Sequence, residues 1–121
     1  MEGESLRPVR WVGSSRKDVR LFPRPIWLEI GYALYAAQKG EIDPASKPLK
    51  GFGGRSVLEV VAWHHGDTWW AVNTVRFGDA VYVLHAFQKK SKSGIATPKN
   101  DMNLIQQRLA DAERDYKKRQ N

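Results

Sequence analysis

The sequence predicts one α+β domain with the element order β-α-α-β-β-β-α, in which helices pack on one face of an antiparallel sheet. Two observations support this fold class. Two stretches carry apolar residues at helical spacing, and three consecutive β-prone stretches are separated by turn residues. With 121 residues the chain can bury one core but not two. We therefore expect a single domain over residues 1–121, with flexible ends at 1–6 and 117–121.

The N-terminal third reads as a strand followed by two helices. Arg7–Val12 is short and β-prone, and Gly13 ends it. Ser14 or Ser15 can cap a short helix that stops at Pro23. A second helix should begin near Pro25 and end at Gly40, since proline is well tolerated in the first helical turn. Its apolar stripe consists of Ile26, Ile30, Ala33, Leu34 and Ala37.

The rest of the chain reads as a loop, a three-stranded meander and a last helix. Glu41–Arg55 contains two prolines and three glycines, so we interpret it as an ordered surface loop. Thr97-Pro98 should start the final helix, with threonine as its cap. The three strands are Ser56–Trp63, Thr68–Phe77 and Ala80–Gln88, joined by His64–Asp67 and by a two-residue turn at Gly78-Asp79. The apolar seam of the last helix is Met102, Ile105, Leu109, Ala112 and Tyr116.

Composition and charge narrow the function classes. The chain has no cysteine, which excludes disulfides, thiolate metal sites and cysteine nucleophiles. It has no apolar run long enough to span a membrane, and MEGESLRPVR lacks the apolar core of a signal peptide, so we expect a cytoplasmic protein without membrane contact. The net charge is +7, and no acid occurs between Asp79 and Asp101. This local positive charge favours a polyanionic partner, although a solvated basic surface is the alternative.

Strand alternation predicts which side chains share a sheet face. In the last strand, Tyr82, Leu84 and Ala86 should point one way, and His85 and Lys89 the other, together with Val81, Val83 and Phe87. A partly polar face would then carry Glu59, Arg76, His85 and Lys89. The sequence leaves the strand register open, so the four side chains need not meet.

Five segments together resemble the RelE/HigB superfamily of toxins from type II toxin–antitoxin systems, and within it the phage-derived HigB-like branch. The segments are WVGSSRKDVRLFP (Trp11–Pro23), EIGYALYAAQKGE (Glu29–Glu41), KPLKGFGG (Lys47–Gly54), VLEVV (Val57–Val61) and VYVLHAFQKKSKSGIATPK (Val81–Lys99). The resemblance implies a RelE-like fold and a metal-independent endoribonuclease, without cofactor, that cuts translated mRNA at the ribosome. It also implies neutralisation by a cognate antitoxin, typically a helix-turn-helix protein encoded nearby.

The resemblance also implies roles for individual residues. Lys89 and Lys90 match the family's lysine pair and would contact the scissile phosphate, and His85 would transfer a proton. Relatives often carry basic residues at the positions of Trp70 and Val61, so Arg76 would have to compensate, or Trp70 would stack on a base. The remaining implied RNA contacts are Lys47, Lys50, Arg55, Lys92 and Lys99.

Several alternatives stay open at the level of the sequence. His85 could be a packed strand residue, Glu59 either a general base or a salt-bridge partner, and Lys89 a solvated strand end. One of Trp69 and Trp70 should be buried and the other exposed. His64 and His65 read as a polar turn rather than a metal site, and the C-terminal seam could also dock an antitoxin. Two other functions remain: a toxin of the same fold that inhibits a protein such as DNA gyrase, and a relative that binds RNA or antitoxin without catalysis.

Overall fold

The computed structural model of the protein describes residues 5–54, 56–89 and 97–120. It contains one five-stranded sheet with helices on both sides. No helix in these ranges is long and apolar enough to cross a bilayer. In chain order the elements are β1 (Val9–Trp11), α1 (Ser15–Arg20), α2 (Arg24–Gln38), β2 (Ser46–Pro48), β3 (Val57–His64), β4 (Asp67–Thr74), β5 (Val81–Lys89) and α3 (Lys99–Gln120).

The sheet is mixed, so the prediction of an antiparallel sheet is wrong in part. Its strand order is β1-β5-β4-β3-β2. The three strands from β3 to β5 form the predicted antiparallel meander, but β1 runs parallel to β5, with Val9 opposite Val81. The sequence segments of β1 and β5 gave no sign of this pairing, because a parallel contact between distant strands leaves no local signal.

The segment predicted to be only a loop contains the additional edge strand β2. Lys47 pairs with Glu59 of β3, and Pro48 pairs with Leu58. A proline is compatible with a strand at a sheet edge, where its missing N–H need not face a neighbour. The proline and glycine content correctly predicted irregular backbone around β2, but it did not indicate that the three residues of β2 pair with β3.

The helices occupy both faces of the sheet, which corrects the prediction of one helical layer. Residues of α1 and α2 form a core cluster with β3, β4 and β5 residues such as Val60, Ala71 and Val83. On the other side α3 packs through Ile105, Leu109 and Ala112 against side chains that include Val72, Tyr82 and Leu84. A strand buried on both faces is apolar on both sides, and this is what β5 shows over residues 81–84.

The helical spacing of apolar residues correctly predicted which faces of α2 and α3 are buried. Ile26, Ile30, Ala33, Leu34 and Ala37 of α2 are all buried, which confirms the predicted stripe. The α3 seam is also confirmed, with Met102 and Tyr116 packed at the margins of its buried centre. Helix α3 extends through residues 117–120, the segment for which a flexible end was predicted.

The two meander turns differ from each other. His65 and Gly66 alone connect β3 to β4, and both have positive φ, at 52° and 84°. Positive φ at both residues is typical of a two-residue hairpin turn whose backbone twist matches the right-handed twist of the flanking strands. Gly78-Asp79 does not form the predicted two-residue hairpin, because six residues lie between Thr74 and Val81. The pair instead occupies the centre of a turn closed by a 3.0 Å bond from Ala80 N–H to the Phe77 carbonyl.

Candidate nucleic-acid interface

An open cleft lies on the α3 face of the sheet, between the β2 segment and the first turn of α3. Its volume is about 450 Å³. It has an apolar floor and a charged rim, because the buried Leu49 directly follows β2 while the neighbouring Lys47 and Lys50 are exposed to solvent. The lining residues are Lys47, Pro48, Leu49, Lys50, Glu59, Thr97 and Met102.

Among the described residues that line this cleft, Glu59 is the one acid, and its environment favours the protonated form. It is half-buried in β3, directly opposite Lys47 of β2. Burial raises the pKa of Glu59, and the positive charges of Lys47 and Lys89 oppose the rise without cancelling it. A carboxylate with a raised pKa takes up a proton more readily near neutral pH, which is a requirement for a general base.

Lys89 reaches the same neighbourhood from the end of β5. Lys89 is only 7% exposed, and its Nζ lies 5.0 Å from the centre of the Trp70 ring. The Thr68 hydroxyl donates a 3.1 Å bond to the Lys89 carbonyl and accepts a 3.1 Å bond from the Trp70 indole N–H. Trp70 and Thr68 therefore fix both the backbone and the ammonium group of Lys89, and the ring faces a cation as an aromatic quadrupole prefers.

A β-bulge in β5 brings Lys89 to this face. Val72 pairs with His85 whereas Asn73 pairs with Val83, so Leu84 is the extra residue. Leu84 belongs to the cluster under α3, and His85 contacts α3 as well. The predicted strict alternation, with Leu84 and His85 on opposite faces, is therefore wrong. The shift turns His85 and Lys89 onto the face of Glu59, as the polar-face prediction required.

His85 is tied to α3 through both ring nitrogens. Its Nε2 lies 2.7 Å from a carboxylate oxygen of Asp101, and its Nδ1 lies 3.5 Å from Nη1 of Arg108. Because a guanidinium has no acceptor, Nδ1 must accept and Nε2 must carry the proton. This arrangement favours the packed alternative for His85, since neither nitrogen is left for a substrate.

Arg108 also stabilises the bulge. Its Nη1 donates a 3.0 Å bond to the carbonyl of Leu84, the extra residue, and its Nη2 donates a 3.3 Å bond to the Ser14 hydroxyl. Ser14 in turn donates a 2.8 Å bond to Asp18 of α1. One arginine thus joins α3, the bulge and the start of α1. A bulge carbonyl leaves the ladder and needs such a donor.

Both adjacent tryptophans are buried, which corrects the prediction that one would be exposed. Trp69 is 7% exposed under α1 and α2, and Trp70 is 5% exposed on the α3 face. Trp70 packs against Phe87, with ring centres 5.9 Å apart, as well as against Lys89. Helices on both faces bury both sides of β4, so alternation alone could not expose either ring. A base could stack on Trp70 only after its neighbours move.

The remaining predicted site residues separate into three groups. Arg76 bonds to Ser56 with a 3.2 Å contact, beyond the far end of β4. Thr68 pairs with Lys89, and the six residue steps from Thr68 to Thr74 correspond to roughly 20 Å of strand, so Arg76 does not join Lys89. Lys50 and Lys99 are exposed near the cleft. Arg55, Lys90 and Lys92 lie outside the described residues.

Sequence reasoning missed Asp101, Arg108 and Thr97 as members of this region. All three belong to α3 or its start, which the apolar seam marked only as core packing. The sequence contained one signal for Asp101. It is the first acid after Asp79, so it is the first carboxylate that follows His85 along the chain. His64 and His65 stack 4.1 Å apart in their turn, and no group of three or more metal-ligating side chains occurs in the described ranges.

Comparisons with known proteins identify relatives of this chain. A family model described as phage-derived protein Gp49-like (DUF891) matches residues 17–110, which is most of the chain. A similar solved structure is the toxin–antitoxin complex RelBE2 from Mycobacterium tuberculosis, at 14% identity and a TM-score of 0.47. That match covers 75% of this chain and 100% of the other. No curated protein matches.

Proposed function

The chain belongs to the Gp49-like family of phage-derived proteins, and we propose that it is the toxin of a type II toxin–antitoxin system that binds and cleaves mRNA. The sequence resemblance to RelE/HigB toxins supports this proposal independently of the family model. The proposed partners are translated mRNA at the ribosome and a cognate antitoxin. The finer assignment to the HigB-like branch rests on the resemblance alone.

One observation carries the proposal: Lys47 and Lys89 flank the half-buried Glu59 at an open cleft on an otherwise packed sheet face. A phosphodiester needs cations around its oxygens and a group that can accept a proton. Lysines on both sides of a carboxylate with a raised pKa meet both needs.

The proposed reaction is attack of a ribose 2′-OH on the neighbouring phosphate. Glu59 takes the 2′-OH proton, the new bond forms between the 2′-oxygen and phosphorus, and the bond from phosphorus to the 5′-oxygen breaks. A lysine ammonium of the cleft protonates the leaving 5′-oxygen, which gives a 2′,3′-cyclic phosphate and a free 5′-OH. Lys89 stabilises the extra negative charge on the phosphate oxygens. His85 acts through position, because its ring is fixed by Asp101 of α3 and stacks on Phe87, two residues before Lys89.

The other lysines form the proposed path of the RNA backbone. Lys47 and Lys50 line the cleft, Lys99 is exposed at the start of α3 between the lining residues Thr97 and Met102, and Lys90 and Lys92 follow Lys89 in sequence. Contacts to phosphates of this kind weaken with salt in proportion to the number of lysines involved. Arg76 bonds to Ser56 at the other end of β4, so it is not part of this path and does not compensate for Trp70.

The direct test is controlled expression with mapping of mRNA 5′ ends. The wild type should arrest growth and produce cuts phased with the reading frame. Lys89→Met and Glu59→Gln should abolish the cuts, while the matched variants Lys117→Met and Glu113→Gln, on the exposed part of α3, should retain them. Intact transcripts during growth arrest would sink the nuclease proposal, and so would equal cutting by Lys89→Met and the wild type.

A second candidate is a binding protein without catalysis. Val61 and Trp70 pair with each other on the cleft face, where relatives often carry basic side chains, and both His85 nitrogens are engaged. This candidate predicts salt-sensitive RNA binding by purified protein and no cleavage on programmed ribosomes. Inhibition of supercoiling with intact mRNA would instead favour a gyrase-directed toxin.

A further inference from the structure

A groove between α1 and α2 lies on the opposite side of the sheet from the basic cleft. Its volume is about 330 Å³. The apolar part consists of side chains from β1 and the two helices, and two arginines of α1 line its edge. The lining residues are Trp11, Arg16, Val19, Arg20, Trp27, Ile30, Gly31 and Leu34.

Gly31 keeps this groove open, and the fold does not require glycine there. The residue lies inside α2, and a Cβ added to it would meet no other residue within 4 Å. Glycine in a helix interior costs about 0.5–1 kcal/mol relative to alanine. Gly31 therefore destabilises the helix without relieving any close contact. This indicates that the open space above Gly31 serves to bind something.

The apolar surface continues beyond the groove. Leu28 and Tyr35 lie three residues before and four residues after Gly31, so they share its side of α2. They are 41% and 48% exposed. Contiguous exposed apolar surface next to a cavity is typical of interaction sites.

The edge of the groove is positively charged. Within the described ranges, neither Arg16 nor Arg20 forms an ion pair, while Asp18, the one acid of α1, accepts the Ser14 hydroxyl bond. The guanidinium of Arg24 lies over the Trp27 ring at 5.4 Å and extends the same charge. A ligand that fits this surface needs apolar side chains for the floor and carboxylates for the edge.

We propose that the groove between α1 and α2 docks an acidic amphipathic segment of a partner protein, with a bulky apolar side chain seated above Gly31. Charge complementarity selects an acidic partner, and the accessible apolar side chains of Trp11, Trp27 and Leu28 select a polypeptide over RNA, whose backbone would gain nothing from them. This proposal is independent of the nuclease proposal, because it concerns the other face of the molecule.

The test uses a synthetic amphipathic helical peptide with Leu on one face and Glu on the other. Its binding to the whole protein is followed by tryptophan fluorescence and by amide shifts in α1 and α2. Gly31→Leu fills the groove with a good helix former and should weaken binding about tenfold or more, and Arg16→Glu/Arg20→Glu should do the same. Lys117→Glu/Lys118→Glu makes the same charge change at the far end of α3 and should leave binding unchanged.

Three results would overturn the proposal. They are no binding of the acidic peptide, equal binding of a version with Lys in place of Glu, and equal weakening by the α3 control pair. An oligouridine RNA is the competing probe. If Arg16→Glu/Arg20→Glu abolishes RNA binding while Gly31→Leu leaves peptide binding intact, the surface is an RNA contact. Each variant is also checked for wild-type thermal unfolding, so that loss of binding is not loss of fold.

Discussion

Nε2 of His85 lies 2.7 Å from a carboxylate oxygen of Asp101, which joins the middle of β5 to the first turn of α3. On the other side of the ring Arg108 faces Nδ1 at 3.5 Å and donates to the Leu84 carbonyl at 3.0 Å. The two α3 residues therefore fix the ring and the bulge together. The position of Lys89, four residues after His85, depends on this bulge because a one-residue slip reverses the faces of a strand.

Arg108→Met should destabilise the protein by about 1–3 kcal/mol, because the Leu84 carbonyl would lose its charged donor in a partly buried place. Denaturant unfolding measures this effect, and nitrogen-15 NMR of the wild-type imidazole shows which ring nitrogen carries the proton. Arg114→Met, at an exposed site of α3, should change stability by less than about 0.5 kcal/mol. A wild-type ring protonated on Nδ1 alone would contradict the proposed network.

Glu59→Gln should make the protein more stable at neutral pH, by about 0.5–1 kcal/mol, while removing the proposed proton acceptor. Burial raises the pKa of Glu59 above its ordinary 4.5, so folding favours the protonated form. This contribution to stability is complete below pH 4.5 and is lost as the pH rises through the raised pKa. The difference between variant and wild type should therefore grow from acid to neutral pH in thermal unfolding. A difference that shrinks over this range would show that the lysines outweigh burial.

Tyr82→Phe should cost about 1–2 kcal/mol, because the buried phenol donates a 2.6 Å bond to Asp115 of α3. Burial, followed by this bond, raises the pKa of Tyr82 to about 12. The phenol therefore stabilises the folded state fully at pH values below its ordinary pKa of 10.0, and this stabilisation is lost as the pH rises towards 12. Ultraviolet absorbance should show a tyrosine ionisation near pH 12 in the wild type, and this ionisation should be absent in the variant. Ionisation of all tyrosines near 10 would contradict the bond.

Gly31→Ala should stabilise the protein by about 0.5–1 kcal/mol, since the helix gains a better former and the added methyl meets open space. Gly13→Ala is the informative counterpart. Gly13 has φ +58°, and a Cβ there would lie 2.8 Å from the Arg108 guanidinium, so this change should be destabilising by about 1–2 kcal/mol. Both free energies come from denaturant unfolding. Equal effects of the two substitutions would contradict the difference in their surroundings.

The helices illustrate what could be predicted from the sequence. The stripe from Ile26 to Ala37 and the seam from Met102 to Tyr116 are local patterns, and burial followed both. The basic side chains around the cleft were partly predictable for a similar reason. Lys47, Lys50 and Lys89 are conspicuous in the sequence, whereas Asp101 and Arg108 have no local pattern that connects them with β5.

Local residue preferences by themselves determined that this chain forms a strand, two helices, a meander and a last helix, because turn residues and periodicity act over a few positions. The tertiary structure alone decided the parallel contact of β1 with β5, the edge strand β2 and the opposite placement of α3. It also decided the bulge at Leu84, which places His85 and Lys89 on the opposite face of β5 from Val81 and Val83, although strict alternation put all four on one face. These features depend on hydrogen bonds and packing between distant segments, and a β-strand carries no local record of which partner or register it will adopt.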